Sequence, residues 1–408
     1  MPTRLRVSAR LAVTALISLL VVACAGAIPR EIMPEELAAN AEVAGYEDVR
    51  SWGDAESSAL DASLGARLEQ LKASGRFAST DGAKPVDVSY LALSGGGGDG
   101  AYGAGVLAGW SEAGTRPEFE MVTGVSTGAL IAPFAFLGPD YDRQLTEVYT
   151  TIETKDIASL NVVSGILGGD ALADSTPLAA QIARFVDGRL LAAVAHEHER
   201  GRRLFIATTN IDAQRAVIWD MGAIAKRGTA ESLELFRSVL LASASVPGVF
   251  PPVRIKVRAG GKTFEEMHVD GGTINQTFFL PFDALAKTFV GAGRKRPRLH
   301  LYVIRNTKVT PEYQATNDKT FDIVGRSVST LIKSQGVGDL YRIYLKSRAQ
   351  HMDFNYGAIP PGFLLQAKEP FDKVYMKELF RLGYETGRVG YPWQKLPPGL
   401  TEEMAKAE

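Results

Sequence analysis

Met121-Val122-Thr123-Gly124-Val125-Ser126-Thr127-Gly128-Ala129-Leu130 decides the reading of this chain. The apolar run from Phe119 to Val122 predicts a buried strand, and a helix-permissive run begins at Thr127. Between them lies Gly124-x-Ser126-x-Gly128, the spacing of a nucleophile elbow, in which a sharp strand-to-helix turn lifts a serine hydroxyl above the sheet edge. A side chain at 124 or 128 would crowd the adjoining strand and helix. The helix N-terminus behind Ser126 favours negative charge developing there.

Upstream, Val86 to Leu93 predicts a strand, followed by Ser94-Gly95-Gly96-Gly97-Gly98-Asp99-Gly100 and a helix over Ala101 to Trp110. Both loops follow strands and open helices, so a parallel sheet would bring them to one carboxyl edge. Acyl transfer through serine needs a nucleophile, a base and donors for the oxyanion. Ser126 is the candidate nucleophile. The amides of Gly95, Gly96, Gly97 and Gly98 are candidate donors, because backbone without side chains can approach a tetrahedral intermediate closely.

The first residues carry a different signal. Arg4, Arg6 and Arg10 precede an apolar run from Leu11 to Ala23, a charged and then a hydrophobic region of secretory type. A run of thirteen residues falls short of the ~20 that span a bilayer core. The run ends Val21-Val22-Ala23-Cys24, and Cys24 is the only cysteine in the chain. This resembles the lipobox of bacterial lipoproteins, which implies a lipid-modified Cys24 as the mature N-terminus and a membrane-anchored protein of the cell envelope. Ala25 is not the acid linked with inner-membrane retention in some bacteria, so a periplasm-facing outer-membrane position is expected. With one cysteine no internal disulfide can form. The 408 residues are 46% hydrophobic and 22% charged, which describes a globular chain. A net charge of −1 with no Lys/Arg block argues against a nucleic-acid surface. Gly98-x-Gly100-x-x-Gly103 also fits a dinucleotide fingerprint, with Glu118 or Glu120 as the later acid. Four consecutive glycines exceed what that turn needs, and an exported protein meets little nicotinamide cofactor, so no cofactor is expected.

The base is the discriminating question. A Ser–His–Asp hydrolase needs a histidine after its acid, and the chain has five: His196, His198, His268, His300 and His351. His196 and His198 lie in a charged run that reads as a solvated helix end and lacks H-E-x-x-H spacing, so no metal site is expected. His300 sits inside an apolar strand and reads as a core residue; His351 follows a basic helix with no motif around it. His268 precedes Asp270 by two residues, on the same face of a regular strand. Asp270, in Val269-Asp270-Gly271-Gly272, stands at the carboxyl end of that strand. An oriented, partly desolvated carboxylate can deprotonate a serine directly.

Taken together, Leu93 to Gly100, Gly124-Val125-Ser126-Thr127-Gly128, Ala244-Ser245-Val246-Pro247-Gly248-Val249-Phe250-Pro251-Pro252 and Asp270-Gly271-Gly272 resemble, in order and separation, the blocks of the patatin-like phospholipases. The resemblance covers about residues 86–285. It implies an α/β fold, three layers (α/β/α) around a mostly parallel sheet, and hydrolysis of lipid acyl esters without a metal. It also implies a Ser–Asp dyad of Ser126 and Asp270 with the Gly95–Gly98 amides as oxyanion hole. Two departures stand out: Asp99 replaces the Arg or Lys of many members, and Asn275 is followed by Gln276-Thr277 where many have Asn-Pro.

The expected organisation is a lipoprotein-type signal peptide (1–23), an anchor, spacer and leading helix (24–85), a catalytic core (86–285) and a C-terminal part packed on the same domain (286–408). The C-terminal part carries no interpretable motif from about residue 300. The Val/Ile/Leu/Gly-rich segment Val162 to Ala173 is a candidate cover over the site. The expected partners are a lipid or other acyl-ester substrate and, through Cys24, a membrane. Two alternatives remain open: a Ser–His–Asp carboxylesterase using His300 or His351, and an envelope scaffold with a degenerate site marked by Asp99.

Overall fold

The computed structural model describes residues 30–55, 58–74, 85–160, 171–280 and 295–406. Its centre is one ten-stranded sheet. In chain order the strands are β1 (Glu42–Val43), β2 (Arg50–Trp52), β3 (Asp87–Leu93), β4 (Phe119–Gly124), β5 (Arg203–Asn210), β6 (Arg215–Asp220), β7 (Val253–Ala259), β8 (Lys262–Asp270), β9 (Arg298–Arg305) and β10 (Asp353–Ala358). The strands run in space β1-β7-β8-β5-β4-β3-β9-β10, with β6 on the other edge of β5 and β2 beyond it. The five strands β5, β4, β3, β9 and β10 are parallel, and the flank beyond β5 is antiparallel. The mostly parallel expectation therefore holds for the centre of the sheet.

Both faces of the parallel strands are apolar, as burial between two helical layers requires. Along β3, Val88, Tyr90 and Ala92 join one core while Leu91 and Leu93 join the other. Helices α1 (Ser58–Ala73) and α5 (Thr320–Ala349) cover the first face, through Leu71 and through Leu340, Ile343 and Tyr344. The other face holds α2 (Gly100–Glu112), α3 (Thr127–Leu137), α4 (Ala230–Ser243) and α6 (Lys373–Arg388). Leu60, Leu64, Leu68 and Leu71 recur at helical spacing along α1, and of these only the Leu71 side chain lies among those described. Helix α3 continues through Pro133. The strands β7 and β10 had no counterpart in the sequence reading. β7 alternates exposed and buried residues over Arg254-Ile255-Lys256-Val257, a period-2 signal that was available. β9 and β10 lie beyond residue 285, so the C-terminal part completes the central sheet as well as packing on it.

One feature of the register positions the site. β4 pairs with Arg203–Ile206 at the start of β5, and β8 pairs with Thr208–Asn210 at its end. β6 occupies the opposite edge of β5, so β4 and β8 meet end to end along the same edge. Asp270, the last residue of β8, is thereby brought to where β4 stops at Gly124, two residues before Ser126.

Candidate active site

Ser126 stands at φ 55° and ψ −126°, a conformation that costs a non-glycine residue roughly 1–3 kcal/mol. The surroundings enforce it. A Cβ on Gly124 would meet the Gly128 carbonyl at 2.5 Å, and one on Gly128 would collide with the Leu93 carbonyl. Strand, turn and helix therefore close to backbone contact, as the elbow spacing required. The Ser126 N–H donates to Ser243 Oγ (3.0 Å), whose hydroxyl donates to the Ala207 carbonyl (2.7 Å). Ser243 at the end of α4 thus fixes the turn to β5.

Asp270 is buried, and its N–H and C=O bond to the Ser245 carbonyl (2.8 Å) and Thr209 Oγ1 (3.0 Å). Its Oδ1 accepts from the Gly272 amide (2.6 Å), while Oδ2 is buried without a hydrogen-bond partner. Burial pushes the carboxyl up to about 7, against the opposing pull of the Ser126 hydroxyl and the Gly272 amide. The serine thus lies close enough to influence the carboxyl without satisfying Oδ2, a loose approach of the kind that tightens when substrate binds.

The glycine loop follows β3. A Cβ on Gly95 would lie 3.1 Å from Ser126 Cβ, so the loop borders the serine directly. The Gly95 amide is already committed to the Gln276 carbonyl (3.0 Å), which removes it from the expected donors. Among the described residues, the amides of Gly96, Gly97 and Gly98 have no protein acceptor. Asn306, immediately after β9, holds the loop: its N–H donates to Ser94 Oγ (2.8 Å), its Nδ2 to the Ser94 carbonyl (2.8 Å), and its Oδ1 accepts from Gly103 (3.1 Å). A Cβ on Gly96 would collide with the Asn306 carbonyl, so that position needs glycine for close approach. Asp99, largely buried, accepts from the Tyr375 hydroxyl of α6 (2.7 Å), and burial raises its carboxyl to about 6. Gln276 Nε2 donates to the Gly272 carbonyl (2.7 Å), so the segment that departs from Asn-Pro ties the Asp270 turn to the glycine loop.

Ser243, Asn306 and Tyr375 are not indicated by any motif, and Gln276 stands out in the sequence only as a departure from Asn-Pro. Only Asn306 carried a usable signal, a polar residue at the carboxyl end of an expected strand.

The histidines lie elsewhere. His300 lies near the start of β9 at the opposite sheet edge, part-exposed between Asp87 (2.9 Å) and Asp353 (3.2 Å), rather than in the core as expected. His351 is exposed in the turn entering β10, at the same far edge. The Ser–His–Asp alternative therefore has no geometry here. His198 is buried beside Asp220 (3.5 Å), not solvated, and burial lowers it to about 4. His268 is buried with both ring nitrogens occupied, by Thr208 Oγ1 (2.9 Å) and Glu266 Oε2 (3.0 Å). Glu266 also receives the buried Arg50 guanidinium, and these partners hold its carboxyl down to about 2 despite burial. No group of ligating side chains suited to a metal occurs among the described residues.

A parallel α/β sheet with a strained serine at a strand–helix elbow defines the class of this protein. Residues 91–285 match the family model of the patatin-like phospholipases, and the chain carries a domain of that family. No curated protein matches in sequence. Among solved structures, VipD from Legionella pneumophila is similar at 9% identity and TM-score 0.36, over 75% of this chain and 67% of its own. Human GIVD cytosolic phospholipase A2 is similar at 12% identity and TM-score 0.31, over 78% of this chain and 53%, about half, of its own.

Proposed function

We propose that the protein is a serine hydrolase of lipid acyl esters, with Ser126 as nucleophile and Asp270 as its base. The observation that carries this reading is the unpartnered, buried Oδ2 of Asp270 beside a serine held in a strained elbow. Ionised Asp270 takes the hydroxyl proton as Ser126 Oγ attacks the ester carbonyl. The oxyanion lies against the free amides of Gly96 to Gly98, each such donor contributing roughly 10²–10³ in rate. Collapse expels the alcohol, which leaves with the proton from Asp270. Water, deprotonated by the same carboxylate, attacks the acyl carbonyl, and the fatty acid is released as Asp270 returns the proton to Ser126 Oγ. The chemistry as written needs no metal or cofactor. Asp99 does not obstruct it, since its charge is engaged by Tyr375 and the donors are backbone amides. The leader pattern supports a lipid anchor on Cys24 and an envelope location.

The test is hydrolysis of a short-chain ester and a phospholipid, with fluorophosphonate labelling, by the unmutated protein, Ser126→Ala, Asp270→Asn and the His300→Ala/His351→Ala double variant. Loss of hydrolysis in the first two variants, with labelling abolished in Ser126→Ala and full activity in the third, is expected. Activity retained in Ser126→Ala, or lost in a folded histidine variant, overturns the dyad.

A further inference from the structure

We infer that the sheet edge bearing Ser126 and Asp270 is also a docking surface for a lipid bilayer, formed by a projecting arm of α5 and an apolar rim beside Asp270. The inference rests on the proposed lipid hydrolysis in naming how that site would meet its substrate, and on the proposed Cys24 anchor in naming the occupant.

The arm is the N-terminal half of α5. Gln335 of that helix donates to the Ile274 carbonyl, and Asp339 accepts from the Gln276 amide (2.7 Å), so these positions mark the level of the site. The helix begins fifteen residues earlier, at Thr320; at 1.5 Å per residue it overshoots the site by about 22 Å. On this overhang Val324, Val328 and Leu331 are exposed, Leu331 by 69%. Their i, i+4, i+7 spacing puts them on one face. Gln335 continues that row, so the stripe overhangs the site instead of pointing away from it. The opposite face is engaged within the protein: Arg326 reaches the Glu312 carbonyl and Lys333 the Thr310 carbonyl (3.0 Å), binding the 306–319 loop to the arm. Among the described residues the polar face thus has partners and the apolar face has none, the reverse of what water alone would favour.

The rim lies across the edge. The Ser245 carbonyl holds the Asp270 amide, and the same loop exposes Val246 and Val249. Leu172, also exposed, is joined to it through its N–H to the Gly248 carbonyl.

The position of the N-terminus identifies the occupant. The β7–β8 hairpin rises past the end of β5, because His268 is already level with Asn210 and β8 extends back to Lys262. Arg30 is pinned on that projection, to Asp212 (2.8 Å) and, at 3.5 Å, to the Glu265 carbonyl. Cys24 is six residues upstream, a reach of at most about 20 Å. From Arg30, on the side of the molecule that carries the serine, the arm and the rim, a lipid on Cys24 within that reach would hold all three toward the bilayer.

The experiment uses the full chain and vesicles of phosphatidylethanolamine and phosphatidylglycerol. In the Val324→Glu/Val328→Glu/Leu331→Glu variant, vesicle hydrolysis should fall about tenfold or more, as loss of inserted apolar area requires, with hydrolysis of a water-soluble butyrate ester unchanged. Separately, Leu331→Trp should be quenched by brominated lipid and Ser329→Trp, on the opposite face, should not. The quenching decides docking even if neither substrate is hydrolysed and the proposed activity fails. Equal vesicle rates with no quenching at position 331 overturn the inference. So does a dimer of the unmutated protein that the triple variant splits, since the stripe would then join two copies.

Discussion

Asp270→Asn should abolish hydrolysis and stabilise the fold, and the second effect has a calculable pH dependence. The carboxyl is raised from an ordinary value of 3.8 to about 7, chiefly by burial. Because the native state binds the proton more tightly than the unfolded chain, stability attributable to this group is complete below pH ~4 and declines as pH rises toward 7. Above 7 the loss is constant, on the order of 4 kcal/mol for a shift of about three pH units. Asparagine keeps an acceptor for the Gly272 amide and removes the buried charge. Its stability advantage over the native protein should therefore widen by roughly 2–3 kcal/mol between pH 5 and pH 8. Urea denaturation of both proteins at the two pH values measures it. Over the same interval the proposed activity of the unmutated protein should increase, with kcat/KM rising toward a plateau above pH ~7 as the base ionises. An advantage that is absent or shrinks with pH, together with a flat rate profile, would refute the assignment of Asp270 as a buried base.

The other expectations are more local. Asn306→Ala removes the bonds that hold Ser94 and Gly103; kcat for the short-chain ester should fall by about 10²-fold, an oxyanion-donor effect, and the thermal midpoint should drop as well. Gly96→Ala should be at least as damaging to kcat, because its Cβ meets the Asn306 carbonyl, while the phospholipid-to-butyrate rate ratio stays the same. Glu266→Ala leaves the buried Arg50 without its carboxylate, a change that typically costs ~3–5 kcal/mol and is read by denaturant titration.

The sequence alone determined the elements proposed to carry the chemistry and the direction in which they point. Apolar runs ending in glycine-rich turns and followed by helix-permissive stretches place Ser126 and the glycine loop at the carboxyl edge of a parallel sheet, because strand–turn–helix order is a local property. The steric demand at Gly124 and Gly128 is local for the same reason.

Which partners each group meets was decided only by the tertiary structure. Asp270 reaches Ser126 through the end-to-end meeting of β4 and β8 along β5, a register between segments far apart in sequence. That register also spends the Gly95 amide on Gln276, which four identical glycines in a row could not reveal. Asn306 and Tyr375 reach the glycine loop from beyond the recognisable motifs, and an isolated polar residue has no periodicity to betray its partner. The histidines make the same point: sequence supplies the imidazole, and burial and distance decide its use. The candidate cover at Val162 to Ala173 falls mostly, over 162–170, outside the described residues; its last residue, Ala173, pairs with Leu160 in a separate small sheet. Local chemistry is written in the order of residues, whereas the desolvation that tunes a carboxylate depends on every segment that folds over it.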